Sequence, residues 1–130
     1  MRNRPNVSVA VIALAAAFVA ACSNPADPNT TLVEPIQIDV VNVGFLPGPP
    51  LRVVAHVEGV VGDGCSELYS VKQARTGNTA TVTILRQRPK EGVCTQIAKL
   101  YNADIPLEGN FPAGRYVLMV NSVERVFTTQ

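Results

Sequence analysis

One histidine, three cysteines, two neighbouring carboxylates and one basic cluster are the residues from which chemistry could be built in this chain. His56 could act as a general base, but that role needs a nucleophile and an orienting partner within reach. No sequence signature supplies them. It stands in "LRVVAHVEG", between Arg52 and Glu58 on the polar side of an alternating run, which is the setting of an exposed cross-strand residue. Cys22, Cys65 and Cys94 lack further Cys or His residues at metal-ligand spacing. Asp63 and Glu67 sit around "GDGCSE"; calcium would want several more oxygen ligands at fixed positions, so a turn is expected. In "RQRPK", strand alternation puts Arg86 and Arg88 on one face, Pro89 ends the strand, and Lys90 follows. A solvated face whose lysine and proline guard a sheet edge is the first reading. A contact patch for an anionic glycan, a lipid headgroup or an acidic partner is the second. Phe45 and Leu46 precede the rigid "PGPP" turn; they fit a plug for one end of the domain, or an exposed apolar knob for a partner. No catalytic residue, metal ligand or cofactor is assigned, and an enzyme is not expected.

The elements that must position these residues have a period of two rather than 3.6. "IQIDV" alternates Ile36, Ile38 and Val40, and the following "VNVGF" moves the apolar parity to Val41, Val43 and Phe45, which predicts a bulge. Leu51, Val53, Ala55 and Val57 share one face of the next run, Ala80, Val82 and Ile84 one face of another, and Tyr116, Leu118 and Val120 one face of a third. A last run carries Val123 and Phe127. Turn signals separate these runs: "PGPP", "GDG", "TGN" and "KEG". Between Val93 and Leu107 the pattern divides. Cys94, Ile97, Ala98 and Tyr101 fall at helical spacing, whereas Tyr101, Ala103, Ile105 and Leu107 alternate. A short helix near residues 93–101 followed by a strand is the expectation.

The first segment is of another kind. "MRNRPN" is positively charged, "VSVAVIALAAAFVAA" is apolar but shorter than a spanning helix needs, and small residues precede Cys22. The stretch "VAAC", Val19 to Cys22, resembles the bacterial lipobox, with Val19 where leucine is commoner. The resemblance implies a signal peptide over residues 1–21, removal of that segment, and a lipid-modified Cys22. Palmitate and diacylglycerol would then hold the chain to a membrane, since two or more acyl chains anchor stably where one does not. Lipidation of Cys22 would leave Cys65 and Cys94 as a pair, in an oxidising compartment where a disulfide persists. The signal carries two of the eleven basic residues and none of the ten acidic ones, so the remainder is close to neutral. That balance argues against nucleic acid as a partner.

Residues 22–34, polar and proline-containing, read as the lipidated cysteine plus a flexible tether, and residues 35–130 as one domain. Short strands at this spacing predict an all-β fold, a sandwich of six or seven strands. "PAGRYVLMVNSVERVF" resembles the last hairpin of immunoglobulin-like domains in bacterial envelope proteins, which implies an immunoglobulin-like antiparallel sandwich. Its turn is Asn121-Ser122 rather than Asn-Gly. A type I′ loop would strain the serine, so Ser122→Gly should stabilise. The expected role is a lipid-anchored binding or accessory module of the cell envelope, exported to the periplasmic or extracellular face. Its partner would be another envelope protein or a glycan. The alternative is an inhibitor of extracellular peptidases acting through the end loops.

Overall fold

A computed structural model of the chain describes residues 30–130. The signal-like segment and Cys22 lie outside the described residues. The alternating runs form strands, eight among the described residues: β1 (Thr31–Pro35), β2 (Gln37–Leu46), β3 (Arg52–Gly62), β4 (Glu67–Thr76), β5 (Thr79–Pro89), β6 (Lys99–Pro106), β7 (Gly114–Val120) and β8 (Val123–Thr129). They build two facing sheets, an all-β sandwich. One sheet is β2-β3-β6. In the other, β5 is central: β4 pairs along one of its edges, while β7 and β1 share the opposite edge, and β8 lies outside β7. The β5–β7 pairing is parallel, so the sandwich is not antiparallel throughout.

Each strand places its apolar parity inward. Val53, Ala55 and Val57 of β3 face Ala80, Val82 and Ile84 of β5, with Leu118 and Val120 of β7 beside them, all buried. The parity change in β2 is a bulge: the register with β3 slips between Ile38 and Val40, so that Ile36 and Val41 both reach the core. Gly59 lies opposite this irregularity. A Cβ there would overlap the Gln37 carbonyl, so the crossing of β2 over β3 requires glycine.

Three local expectations change. The stretch expected as tether is partly strand, because Thr31–Pro35 pairs with Leu85–Pro89 of β5. Residues 93–98 form no helix; they are held in an irregular path by the Cys65–Cys94 disulfide and by the Gly64 N–H donating to the Thr95 carbonyl at 2.9 Å. The alternation from Tyr101 onward is strand β6, as its second half indicated. In the β7–β8 turn, Asn121 has a φ of 50° and is the only non-glycine residue with positive φ among the described residues. Ser122 carries no left-handed strain, so the expected gain from Ser122→Gly loses its basis.

Asn121 earns its conformation through its side chain. β7 leaves β5 after Val82 and β1 joins it at Leu85, which opens a gap on that edge at Ile84. The Asn121 amide fills it as a strand would. Its Oδ1 accepts from the Ile84 N–H at 2.8 Å, and its Nδ2 donates to the carbonyls of Ile84 and Ile36, both at 3.0 Å. Gln73 does the same between sheets, donating to the Pro106 carbonyl at 2.9 Å and accepting from the Glu108 N–H at 3.0 Å. Asparagine tolerates the left-handed region better than other side chains.

Candidate functional site

The registers sort the loops to two ends. At the near end lie the start of β1, the end of β3, the 63–66 turn, the end of β5 and the 90–98 connection, so the chain enters here. At the far end lie the β2–β3 turn, the β4–β5 turn, the 107–113 connection and the end of β8. The residues singled out from the sequence divide between these ends and one sheet face.

The near end is tied together by hydrogen bonds, ion pairs and a disulfide. Asp63 opens a turn in which its side chain accepts from the Cys65 N–H at 3.2 Å and the Ser66 hydroxyl at 2.9 Å. The Ser66 bond first, then the Cys65 N–H and Arg88, hold the Asp63 carboxyl below the usual range. The turn sets Cys65 opposite Cys94 with their Cα atoms 5.5 Å apart, and the expected disulfide is formed. Asp63 also lies within 4.8 Å of both sulfurs, but sulfurs bonded to each other offer no thiolate to a metal.

Arg86 and Arg88 do share a face, and it is the inner one, continuing the parity of Ala80, Val82 and Ile84. Arg86 donates to the Val61 carbonyl at 3.0 Å and to Glu34 at 2.9 Å, while Arg88 approaches Asp63 at 3.6 Å. The Arg86 and Arg88 side chains are only 22% and 33% exposed, so the expected solvated face is corrected to a half-buried one. Lys90 remains exposed, its backbone N–H donating to the Thr30 carbonyl. Glu67 is exposed at the start of β4 and takes no part in the Asp63 turn.

His56 stands on the outer face of β2-β3-β6. Its Nδ1 lies 2.7 Å from Asp104 on the paired strand β6 and its Nε2 3.1 Å from Glu58. A carboxylate on each ring nitrogen asks for two N–H donors, so the imidazolium is favoured; Asp104 first, then Glu58, raise the pKa above the ordinary value. The arrangement fits the exposed cross-strand residue expected from the sequence. Asp104 joins it only through the β3–β6 register, a long-range pairing with no local signal.

The far end holds the other candidates. Phe45 packs on Phe127 at 6.2 Å between ring centroids and is still 45% exposed; Leu46 beside it is 44% exposed. Beneath them Phe111, Tyr116 and Phe127 form an aromatic cluster with centroids 5.2 to 5.8 Å apart. The Arg75 guanidinium covers the Phe111 ring at 4.1 Å, anchored by its bond to the Asn110 carbonyl. The Pro112 carbonyl accepts from the Tyr116 hydroxyl at 2.6 Å and the Thr129 hydroxyl at 2.7 Å, which fixes the loop against both closing strands. The result is a rigid end whose surface offers Phe45, Leu46 and an open groove lined by Pro50, Leu51, Phe111 and Pro112. The two sequence-predicted contact regions therefore lie at opposite ends, and the structure does not bring them together.

Comparison with known proteins bears on the sandwich itself. Residues 55–129 match the family described as the ORF11 beta-sandwich domain. An uncharacterized 10.2 kDa protein in the HgiCIIM 5′ region of Herpetosiphon aurantiacus is 30% identical over 88 residues, covering 68% of this chain and 94% of the relative. A second protein of the same mass and organism, in the HgiBIM 5′ region, is 31% identical over 57% of this chain and 90% of its own length. No solved structure matches. With more than half of its length matched, from the middle of β3 to the end of β8, the chain belongs to the ORF11 beta-sandwich domain family.

Proposed function

We propose that the protein is a lipid-anchored, non-enzymatic binding module of the bacterial cell envelope, which presents the far end of its sandwich to another envelope protein or a glycan. The polarity of the domain is the observation that carries this reading. Thr30 and Thr31 enter at the near end, on the side of the lipobox-like Cys22, while Phe45, Leu46 and the groove beside Phe111 lie at the opposite end. A head leashed by the lipid at one end holds its exposed aromatic end outward. The candidate general base, His56, is engaged by carboxylates on both nitrogens, which supports a role without chemistry.

Replacing Cys22 by alanine and fractionating the cells tests the anchor: the protein should move from the membrane to the soluble exported fraction. A photo-crosslinker at Leu46 should give a discrete product that is lost in Phe45→Ser, while one at Lys72, on the outer face of β4, should not. If Cys22→Ala sediments with membranes as the parent does, the reading fails.

A further inference from the structure

We infer that the near end of the sandwich rests on the lipid surface itself, with Val93, Ile97 and Leu100 at the headgroup boundary; this rests on the anchored reading above. Three observations lead there. The connection from β5 to β6 and the start of β6 expose aliphatic side chains that the fold does not cover: Val93 is fully exposed, Ile97 71% and, in β6, Leu100 79% exposed. From Gly92 to Ala98 the chain carries no charge, and the ammonium of the next residue, Lys99, is turned back onto the Ser66 carbonyl at 2.8 Å. The disulfide and the Gly64–Thr95 bond fix this apolar path to the 63–66 turn, so it is a rigid feature of the near end.

The length of chain before the fold selects the occupant. Strand β1 takes up residues that would otherwise serve as tether, and Thr30 is already hydrogen-bonded to Lys90, two residues before the apolar path. Seven residues, hence eight residue steps, separate Cys22 from Thr30. Even a stretched, polyproline-like segment of that length reaches only about 25 Å, so a lipid on Cys22 keeps this end beside the bilayer. Irregular backbone cannot enter hydrocarbon without leaving its polar groups unpaired. The contact is therefore made by side chains at the interface, the depth at which amphipathic surfaces settle.

The chain contains no tryptophan, which makes the test direct. Val93→Trp, Ile97→Trp and, at the far end, Leu46→Trp are prepared as the acylated mature protein, with acylation of Cys22 checked by mass. They are bound to phosphatidylethanolamine–phosphatidylglycerol vesicles carrying brominated acyl chains. The near-end tryptophans should shift to the blue and lose most of their emission to bromine quenching, and the far-end one should emit as it does in water. Near-end emission unquenched on vesicle-bound, acylated protein overturns the inference and leaves the anchor standing. A blue shift without quenching overturns it in favour of a second copy of the chain covering the patch. Absence of acyl mass on Cys22 removes the anchored reading, and the inference with it.

Discussion

Replacing Asn121 should be the most damaging single polar substitution in the domain. Its amide satisfies the buried Ile84 N–H and the Ile36 carbonyl, neither of which has another strand opposite it in the gap between β7 and β1. Alanine leaves that N–H and that carbonyl unpaired, at about 1–3 kcal/mol for each buried group. It also keeps a φ near 50° without the polar side chain that makes it tolerable, which adds about 1 kcal/mol. Asn121→Ala should therefore lose about 3–7 kcal/mol, and Asn121→Gly, free of the strain, about 1 kcal/mol less. Asn121→Asp keeps the acceptor for Ile84 but turns a carboxylate oxygen toward two carbonyls, so it should be destabilised at neutral pH and recover as the carboxyl protonates. In a domain of this size 3 kcal/mol lowers Tm by about 12–24 °C. Thermal and urea unfolding measure the loss, and amide exchange at Ile84 locates it. A loss under about 1 kcal/mol for Asn121→Ala, or wild-type stability for Asn121→Asp at pH 7, would refute the bridging role.

Two further outcomes follow from the near end and the outer face. Reduction of the disulfide, or the double change Cys65→Ala and Cys94→Ala, opens a loop of 29 residues and should lower stability by about 3.6 kcal/mol on the chain-entropy account; unfolding in urea with and without reductant reads it, and equal midpoints would contradict it. His56 is the sole histidine and gives a single imidazole resonance, whose titration midpoint should lie above 6.5. Because folding raises this pKa, the stabilisation is complete below pH 6.5 and fades as pH climbs through the elevated folded value. Asp104→Asn should lower the midpoint more than Glu58→Gln, and an unmoved midpoint in both would remove the carboxylates as its cause.

The alternation of the sequence shows most of the fold because each strand has one dry face. Val53 to Val57 and Ala80 to Ile84 record it directly, and the parity change before Val41 marks the bulge. The pairing of Cys65 with Cys94 was reachable from a resemblance elsewhere in the chain, through the odd number of cysteines. Strand β1 was hidden because its residues are mostly exposed and bounded by proline, so they show no apolar period. The inward turn of Arg86 was present in the parity, but charge argued for water; only Glu34 and the Val61 carbonyl, distant in sequence, reconcile the two. The helical spacing near Ile97 came from residues whose path is set by the disulfide instead. Asn121 and Gln73 act on backbone groups supplied by other strands, and no local pattern announces such a partner.

The Pro112 carbonyl, bonded by both Tyr116 and Thr129, has a practical bearing on how this protein is handled. Thr129 is locked into place, and Gln130 emerges beside Pro50, Leu51 and Phe111. An affinity tag or fluorescent fusion joined after Gln130 would be delivered onto the aromatic surface and screen it. Binding experiments should carry any label elsewhere, because one joined after Gln130 would cover the groove beside Phe111.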